Sequence, residues 1–119
     1  MGLVRAVMQV ANPAQPARRE ELELLVDTGA TYSLIPAAFL ARLGITPAET
    51  LEFETADGRT IRRSVGEALF FWDGRSRTCP VIFGEDTDSA LLGVIALEAL
   101  VLEVDPVNQQ LRRARLLLY

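Results

Sequence analysis

Asp27-Thr28-Gly29-Ala30 sets a carboxylate, a hydroxyl and a glycine side by side, directly after the apolar run Leu24-Leu25-Val26 and before Thr31-Tyr32-Ser33-Leu34-Ile35. A carboxylate just past a buried strand, in a turn loosened by glycine, is placed to give or take a proton. The tripeptide Asp-Thr-Gly by itself is a weak signal. The apolar strand before it and the small residue, hydroxyl and aliphatic pair after it make it specific. The bland alternative is an aspartate that only caps a strand-end turn. The chain contains this motif once and contains no histidine, so Ser-His and Cys-His nucleophilic catalysis are excluded, and a zinc site would lack its usual ligand.

Composition narrows the class further. A chain of 119 residues, half of them hydrophobic, is expected to form one domain over residues 1–119 with a core of its own. The net charge of −4 speaks against nucleic acid as a partner, and the pairs Arg18-Arg19, Arg62-Arg63 and Arg112-Arg113 read as solvated faces. The single cysteine, Cys79, allows no intrachain disulfide, fits a reducing compartment and reads as a core residue. Pro13 and Pro16 interrupt the start of the chain, and no signal peptide or membrane span is legible. Gly2 is followed at the decisive position by Ala6 rather than Ser or Thr, which argues against myristoylation. The expected location is the cytoplasm, with no membrane partner.

The elements that must position Asp27 follow from the pattern. Val4, Ala6, Met8 and Val10 alternate with polar residues, as do Leu22 and Leu24, so two strands joined by a Pro-containing loop lead into the motif. Pro36 suits the first turn of a short helix, Ala37 to Leu43, with Gly44 as its stop. Leu51, Phe53 and Thr55 form a strand, Asp57-Gly58 signals a two-residue hairpin, and Arg59 to Val65 returns. Ala68 to Trp72 and Thr78 to Phe83 flank a turn at Asp73-Gly74. Glu85 to Ser89 is a polar loop, Leu91-Leu92-Gly93 an apolar run, and Ile95 to Val101 a short helix. Leu102 to Val104 and Leu111 to Leu118 make a last hairpin around Asp105-Pro106-Val107-Asn108. Short strands between Asp-Gly turns imply an all-β barrel or sandwich with one or two small helices.

At this point the residues resemble a family. Leu25-Val26-Asp27-Thr28-Gly29-Ala30 is similar to the active-site loop of single-domain, retropepsin-like aspartic proteases, among them viral proteases and bacterial proteins of similar length. Asp57-Gly58 falls where that family has its flap, and Leu91-Leu92-Gly93 matches its second apolar-apolar-glycine element. The resemblance covers nearly the whole chain. It implies a small closed β-barrel of the acid-protease type and an aspartic endopeptidase that needs no cofactor or metal. Peptide hydrolysis by carboxylates needs two of them, so the resemblance also implies a twofold homodimer in which Asp27 meets its mate.

The same resemblance assigns roles. Asp27 is the catalytic residue. Thr28 ties the two loops together across the dimer, Gly29 leaves room for substrate, Ala30 keeps the space beside the carboxylate small, and Ser33 bonds locally to the loop backbone. Ala56, Asp57 and Gly58 form the lid over a protein or peptide substrate, and Leu91 and Leu92 contribute to the subsite wall and the core. The chain ends, Leu3 to Val10 and Leu111 to Tyr119, are expected to interleave between subunits. Two departures from the family stand out. Val94 and Ile95 replace polar residues, which implies that a side-chain bridge supporting the active-site loop is missing. Thr31 and Tyr32 replace acidic ones, so substrate preference does not carry over. A non-catalytic dimerisation or peptide-binding module of the same fold is the alternative function, and a structural β-domain with a coincidental motif the remaining one.

Overall fold

Alternation in the first two strands decides which face is buried. The computed structural model describes residues 3–118. Strand β1 (Arg5–Ala11) turns Ala6, Met8 and Val10 inward and Arg5, Val7 and Gln9 outward. It pairs antiparallel with β2 (Arg19–Val26), from Ala11 opposite Arg19 to Arg5 opposite Leu25. The loop between them is held by the Asn12 side chain, which accepts from Ala14 N–H at 2.9 Å and donates to Leu43 O at 3.2 Å. Strand β2 thus points Asp27 off its end.

The next strand was not legible. Ser33–Pro36 forms β3, which runs parallel to residues 81–84, far along the chain. Its partner is non-local and it is only four residues long, so no periodicity announces it. Pro36 ends β3 and stands as the N-cap of α1 (Ala37–Arg42) rather than inside its first turn. Gly44 ends α1 with φ +76°, its N–H bonding Ala41 O while Ile45 N–H bonds Leu40 O. That left-handed cap is the reason for glycine there.

Strand β4 (Glu49–Glu54) pairs antiparallel with β5 (Thr60–Trp72). The connecting loop is Ala56-Asp57-Gly58 inside a Thr55–Arg59 pair, three residues rather than the two expected, with Gly58 at φ +85°. Strand β5 is continuous where the sequence suggested a break after Val65. A Cβ on Gly66 would stand 2.9 Å from Thr46 O and 3.0 Å from the Phe83 ring. Gly66 is there for close packing and not to stop a strand. Asp73 and Gly74, both with positive φ, form the tight turn into β6 (Arg75–Gly84), which is longer than Thr78 to Phe83.

Strand β7 (Leu91–Leu92) is followed by α2 (Val94–Ala99), one residue earlier at its start than expected. The pairings run β1-β2-β7-β3-β6-β5-β4, and β1 also pairs with β5, so the ladder returns to its first strand while β4 extends outward. Met8, Leu24, Ile35, Leu40, Phe70 and Leu92 fill the interior with Leu100 of the α2 cap. Each such side chain contributes about 1.5–3 kcal/mol. Cys79 lies in the same core, and burial pushes its thiol up.

A separate hairpin, β8 (Leu102–Asp105) and β9 (Gln110–Arg113), closes the described chain. Strand β9 stops at Arg113, shorter than the expected Leu111 to Leu118, because only four residues find partners on β8. Beyond it Ala114 N–H bonds Val101 O, and Leu116, Leu117 and Leu118 stand 74%, 82% and 88% exposed. Gly2 and Tyr119, named in the sequence reading, lie outside the described residues.

Two features of this hairpin are testable. Val101, which follows the α2 cap, has φ +60°, a conformation that costs a β-branched residue about 1–2 kcal/mol. Val101→Gly should therefore raise the urea midpoint by about 1 kcal/mol of stability, against the usual direction of a Val-to-Gly change. A lowered midpoint would refute it. Asp105 is buried and accepts from the Asn108 side chain at 2.8 Å, from the Asn108 and Val107 N–H groups, and faces Arg112 at 3.6 Å. The Asn108 side chain first, then the backbone donors and Arg112, hold its carboxyl below the usual carboxylate range. Its contribution is complete above the unfolded-state pKa of about 3.9 and disappears as pH falls through the lower folded value. In urea titrations the wild type should lose more stability than Asp105→Asn on acidification below pH about 4. Equal losses would rule the contribution out.

Candidate active site

The site is built by handing the end of β2 across to the start of α2. Leu25 N–H bonds Ala90 O at 2.9 Å and Asp27 N–H bonds Leu92 O at 3.0 Å, so the last turns of β2 are clamped by β7. The chain then folds over the Asp27 carboxylate. Gly29 N–H donates to Asp27 Oδ1 at 2.9 Å, and Ala30 N–H to Asp27 O at 3.2 Å. Asp27 is half-buried while Thr28 and Gly29 are exposed, so one carboxylate oxygen is oriented by backbone at the edge of solvent. Gly29 has an ordinary φ; what it provides is space, since a Cβ there would lie 3.3 Å from Asp27 Oδ1.

Past Ala30 the loop lies directly on the first turn of α2. Val94 N–H bonds Ala30 O at 2.8 Å and Ile95 N–H bonds Thr31 O at 3.1 Å. Gly93 N–H donates to the buried Ser33 Oγ at 3.0 Å. A Cβ on Gly93 would sit 2.6 Å from the Tyr32 carbonyl and 2.9 Å from Thr31 O, far inside contact distance. One correction follows. Ser33 accepts from Gly93 across the fold and not within its own loop. The side chains of Val94 and Ile95 make no bridge to the loop; their backbone N–H groups and that of Gly93 hold it. These donors would otherwise be orphans of a helix start.

The other residues singled out lie around this centre in different ways. Leu92 is fully buried in the core, and Leu91, opposite Leu25 and Leu34, keeps some surface. Ala56, Asp57 and Gly58 are exposed at the tip of the β4–β5 hairpin. Asp57 accepts from the Thr55 hydroxyl and from Arg59 Nε at 3.0 Å and N–H at 3.4 Å. The Thr55 hydroxyl, then the Arg59 backbone, keep its carboxyl below the usual range, so it serves as the brace of the hairpin. A contact the sequence did not announce joins this hairpin to the loop. The Tyr32 ring meets Phe53 edge-on, centroids 6.0 Å apart at 73°. Both are aromatic residues in otherwise polar stretches, which is the one signal that could have paired them. Among the described residues no three Asp, Glu or Cys side chains gather as metal ligands would.

The comparisons with known proteins agree with this geometry. The family model of the gag-polyprotein putative aspartyl protease matches residues 17–99, from the loop before β2 to the end of α2. EIAV protease, solved with an inhibitor, superposes with a TM-score of 0.61 at 17% identity, over 98% of this chain and 94% of that one. The protease of simian foamy virus gives 0.52 at 22% identity, over 78% and 92%. A Legionella pneumophila protein of unknown function gives 0.55 at 22%, over 85% and 90%. At these identities the likeness is one of fold. No curated protein matches the chain.

The backbone tie can be isolated. Val94 is the first residue of α2, follows an extended Gly93, and is a position where proline is ordinarily accepted. Val94→Pro removes the N–H that holds Ala30 O and sets the ring Cδ where the hydrogen stood, so the loop must draw back, and it should cost about 1–3 kcal/mol in chemical denaturation. Val94→Ala should keep the bond and cost clearly less. Equal costs for the two variants would show that the bond does not hold the loop.

Proposed function

The chain belongs to the gag-polyprotein aspartyl protease family, and on that premise we propose that it hydrolyses peptide bonds with two Asp27 carboxylates, one from each subunit of a twofold homodimer. The observation that carries this reading is the lone Asp27 carboxylate itself, oriented through Oδ1 by Gly29 N–H at 2.9 Å and lying at the solvent edge beside the exposed Thr28 and Gly29. The residues that a partner loop would have to meet are the ones left uncovered.

Two carboxylates about 3 Å apart cannot both ionise, so the pair holds one proton and titrates as a unit. The ionised member takes a proton from water, whose oxygen attacks the scissile carbonyl carbon, while the protonated member gives its proton to the carbonyl oxygen. Collapse of the tetrahedral intermediate returns a proton to the amide nitrogen as the C–N bond breaks. Thr28 bonds across to the partner loop, Gly29 and Ala30 keep the space beside the carboxylate open, and Ser33 locks the loop to α2. The hairpin tip at Ala56, Asp57 and Gly58 closes over substrate and excludes water, with Tyr32 and Phe53 linking lid to loop. Leu91 borders the substrate. The exposed apolar Leu3 and Leu116 to Leu118 supply subunit contacts.

The alternative is a peptide-binding module without catalysis, for which the missing side-chain bridge at Val94 and Ile95 speaks. The three backbone donors hold the loop without that bridge, which supports the catalytic reading. The described residues include no helix long and apolar enough to cross a membrane.

Asp27→Asn should lower cleavage of an unfolded protein substrate by about a thousandfold or more while leaving the fold intact. Specific activity of the wild type should rise with protein concentration through the dimer dissociation range, and added Asp27→Asn protein should poison it by forming mixed dimers. Flat specific activity, or no inhibition by the variant, would contradict the shared site.

A further inference from the structure

A cavity of about 740 Å³ lies away from Asp27. It lies between β1, the Asp73-Gly74 turn and β9, and none of residues 27 to 33 lines it. Arg19 opens β2 and Asp27 follows its last residue, so at about 3.3 Å per residue the cavity and the carboxylate stand up to roughly 25 Å apart.

Its chemistry is cationic and aromatic in an otherwise acidic protein. Four arginines line it, Arg19, Arg75, Arg112 and Arg113, against the single acid Asp73. Arg112 is already matched by Glu103 at 2.7 Å and Asp105 at 3.6 Å. The other three have no carboxylate within 4 Å among the described residues. Arg19 places its Cζ over the Phe71 ring, 3.8 Å from the centre, and donates to Pro16 O at 3.3 Å and Gln9 Oε1 at 3.4 Å, all neutral partners. Arg75 Nε is shut off from solvent with no acceptor among the described residues, an uncommon and costly state for a guanidinium nitrogen. Beside these charges stand the exposed Val7 and the half-buried Trp72. A second cavity of about 320 Å³ is also lined by Arg75 and Arg113.

We propose that this cleft docks an acidic segment with interspersed apolar residues belonging to the protein substrate, at a distance from the bond that is cut. The word substrate rests on the proposed function; the binding does not. Carboxylates would neutralise Arg19, Arg75 and Arg113, and apolar side chains would cover Trp72 and Val7. A bounded cleft in which Val7 and Trp72 stand beside the arginines favours a peptide that alternates carboxylates with apolar side chains over a nucleic-acid backbone, whose phosphates put a charge on every unit. In extended form, up to about eight residues would span the distance to Asp27.

Trp72 is the only tryptophan, so its fluorescence reports the cleft directly. Asp27→Asn protein, which does not consume the probe, is titrated with a blocked hexapeptide of alternating glutamate and leucine. The expected result is saturable change that weakens with added salt, weakens about tenfold in the Arg75→Glu/Arg113→Glu variant, and is absent with the lysine counterpart. A separate Arg19→Glu variant, also weakened, covers the case in which the double variant fails to fold. Equal binding of the lysine peptide, tighter binding of a single-stranded oligonucleotide, or binding that vanishes as the protein dimerises would each overturn the proposal. Wild-type protein is then given cleavable peptides with acidic or neutral extensions. A kcat/KM ratio near one would overturn the substrate role, whereas cleavage of neither peptide would count against the catalytic reading alone.

Discussion

Everything near Asp27 depends on how closely the loop after it approaches the start of α2. The backbone of Gly93 lies against the Tyr32 carbonyl with no room for a Cβ, and that proximity aligns three N–H donors with Ala30 O, Thr31 O and Ser33 Oγ. A helix start leaves its first N–H groups without intrahelical partners, and a sharply turned loop leaves carbonyls in the same state. Putting the two together satisfies both inside one contact. The Asp27 carboxylate is then held by backbone alone, through a loop that cannot move without exposing these groups.

The rest of the ladder serves that contact. Strand β7 is two residues long, yet it pairs with both β2 and β3, so the strands on either side of the loop are fastened to one short segment that runs directly into Gly93 and α2. Leu92 buries its side chain in the core while its carbonyl receives Asp27 N–H. The long hairpin of β5 and β6 supports β3 from the other side. The β4–β5 extension reaches back to the loop through Phe53 and Tyr32, with its tip braced by Asp57. Rigidity at the carboxylate and freedom at the hairpin tip therefore arise from different kinds of bonding. The first is buried backbone, the second an exposed side-chain network that costs little to open.

Much of this was legible. The alternation in Ala6, Met8 and Val10 and in Leu22 and Leu24 identified two strands and the address of Asp27. Gly44, Gly58 and Gly74 marked turns where positive φ is required. The strand Ser33–Pro36 was not legible, because four residues carry no period and their partner is distant in sequence. The strand was expected to end at Val65, but a glycine chosen for close packing, as at Gly66, looks the same in sequence as one chosen for a turn. The partner of Ser33 was missed because side-chain hydroxyls bond locally more often than across a fold.

By itself, the sequence determined the elements, the family resemblance and the solitary aspartate, because local propensity, alternation and turn chemistry are properties of neighbouring residues. Tertiary structure alone decided that Val94 and Ile95 support the loop through their backbone. It also decided that Gly93 lies too close to the Tyr32 carbonyl for a Cβ, and that Arg19, Arg75 and Arg113 line one cleft. Those facts depend on which distant segments touch, and contact across the fold is set by packing of the whole core rather than by any window of the chain.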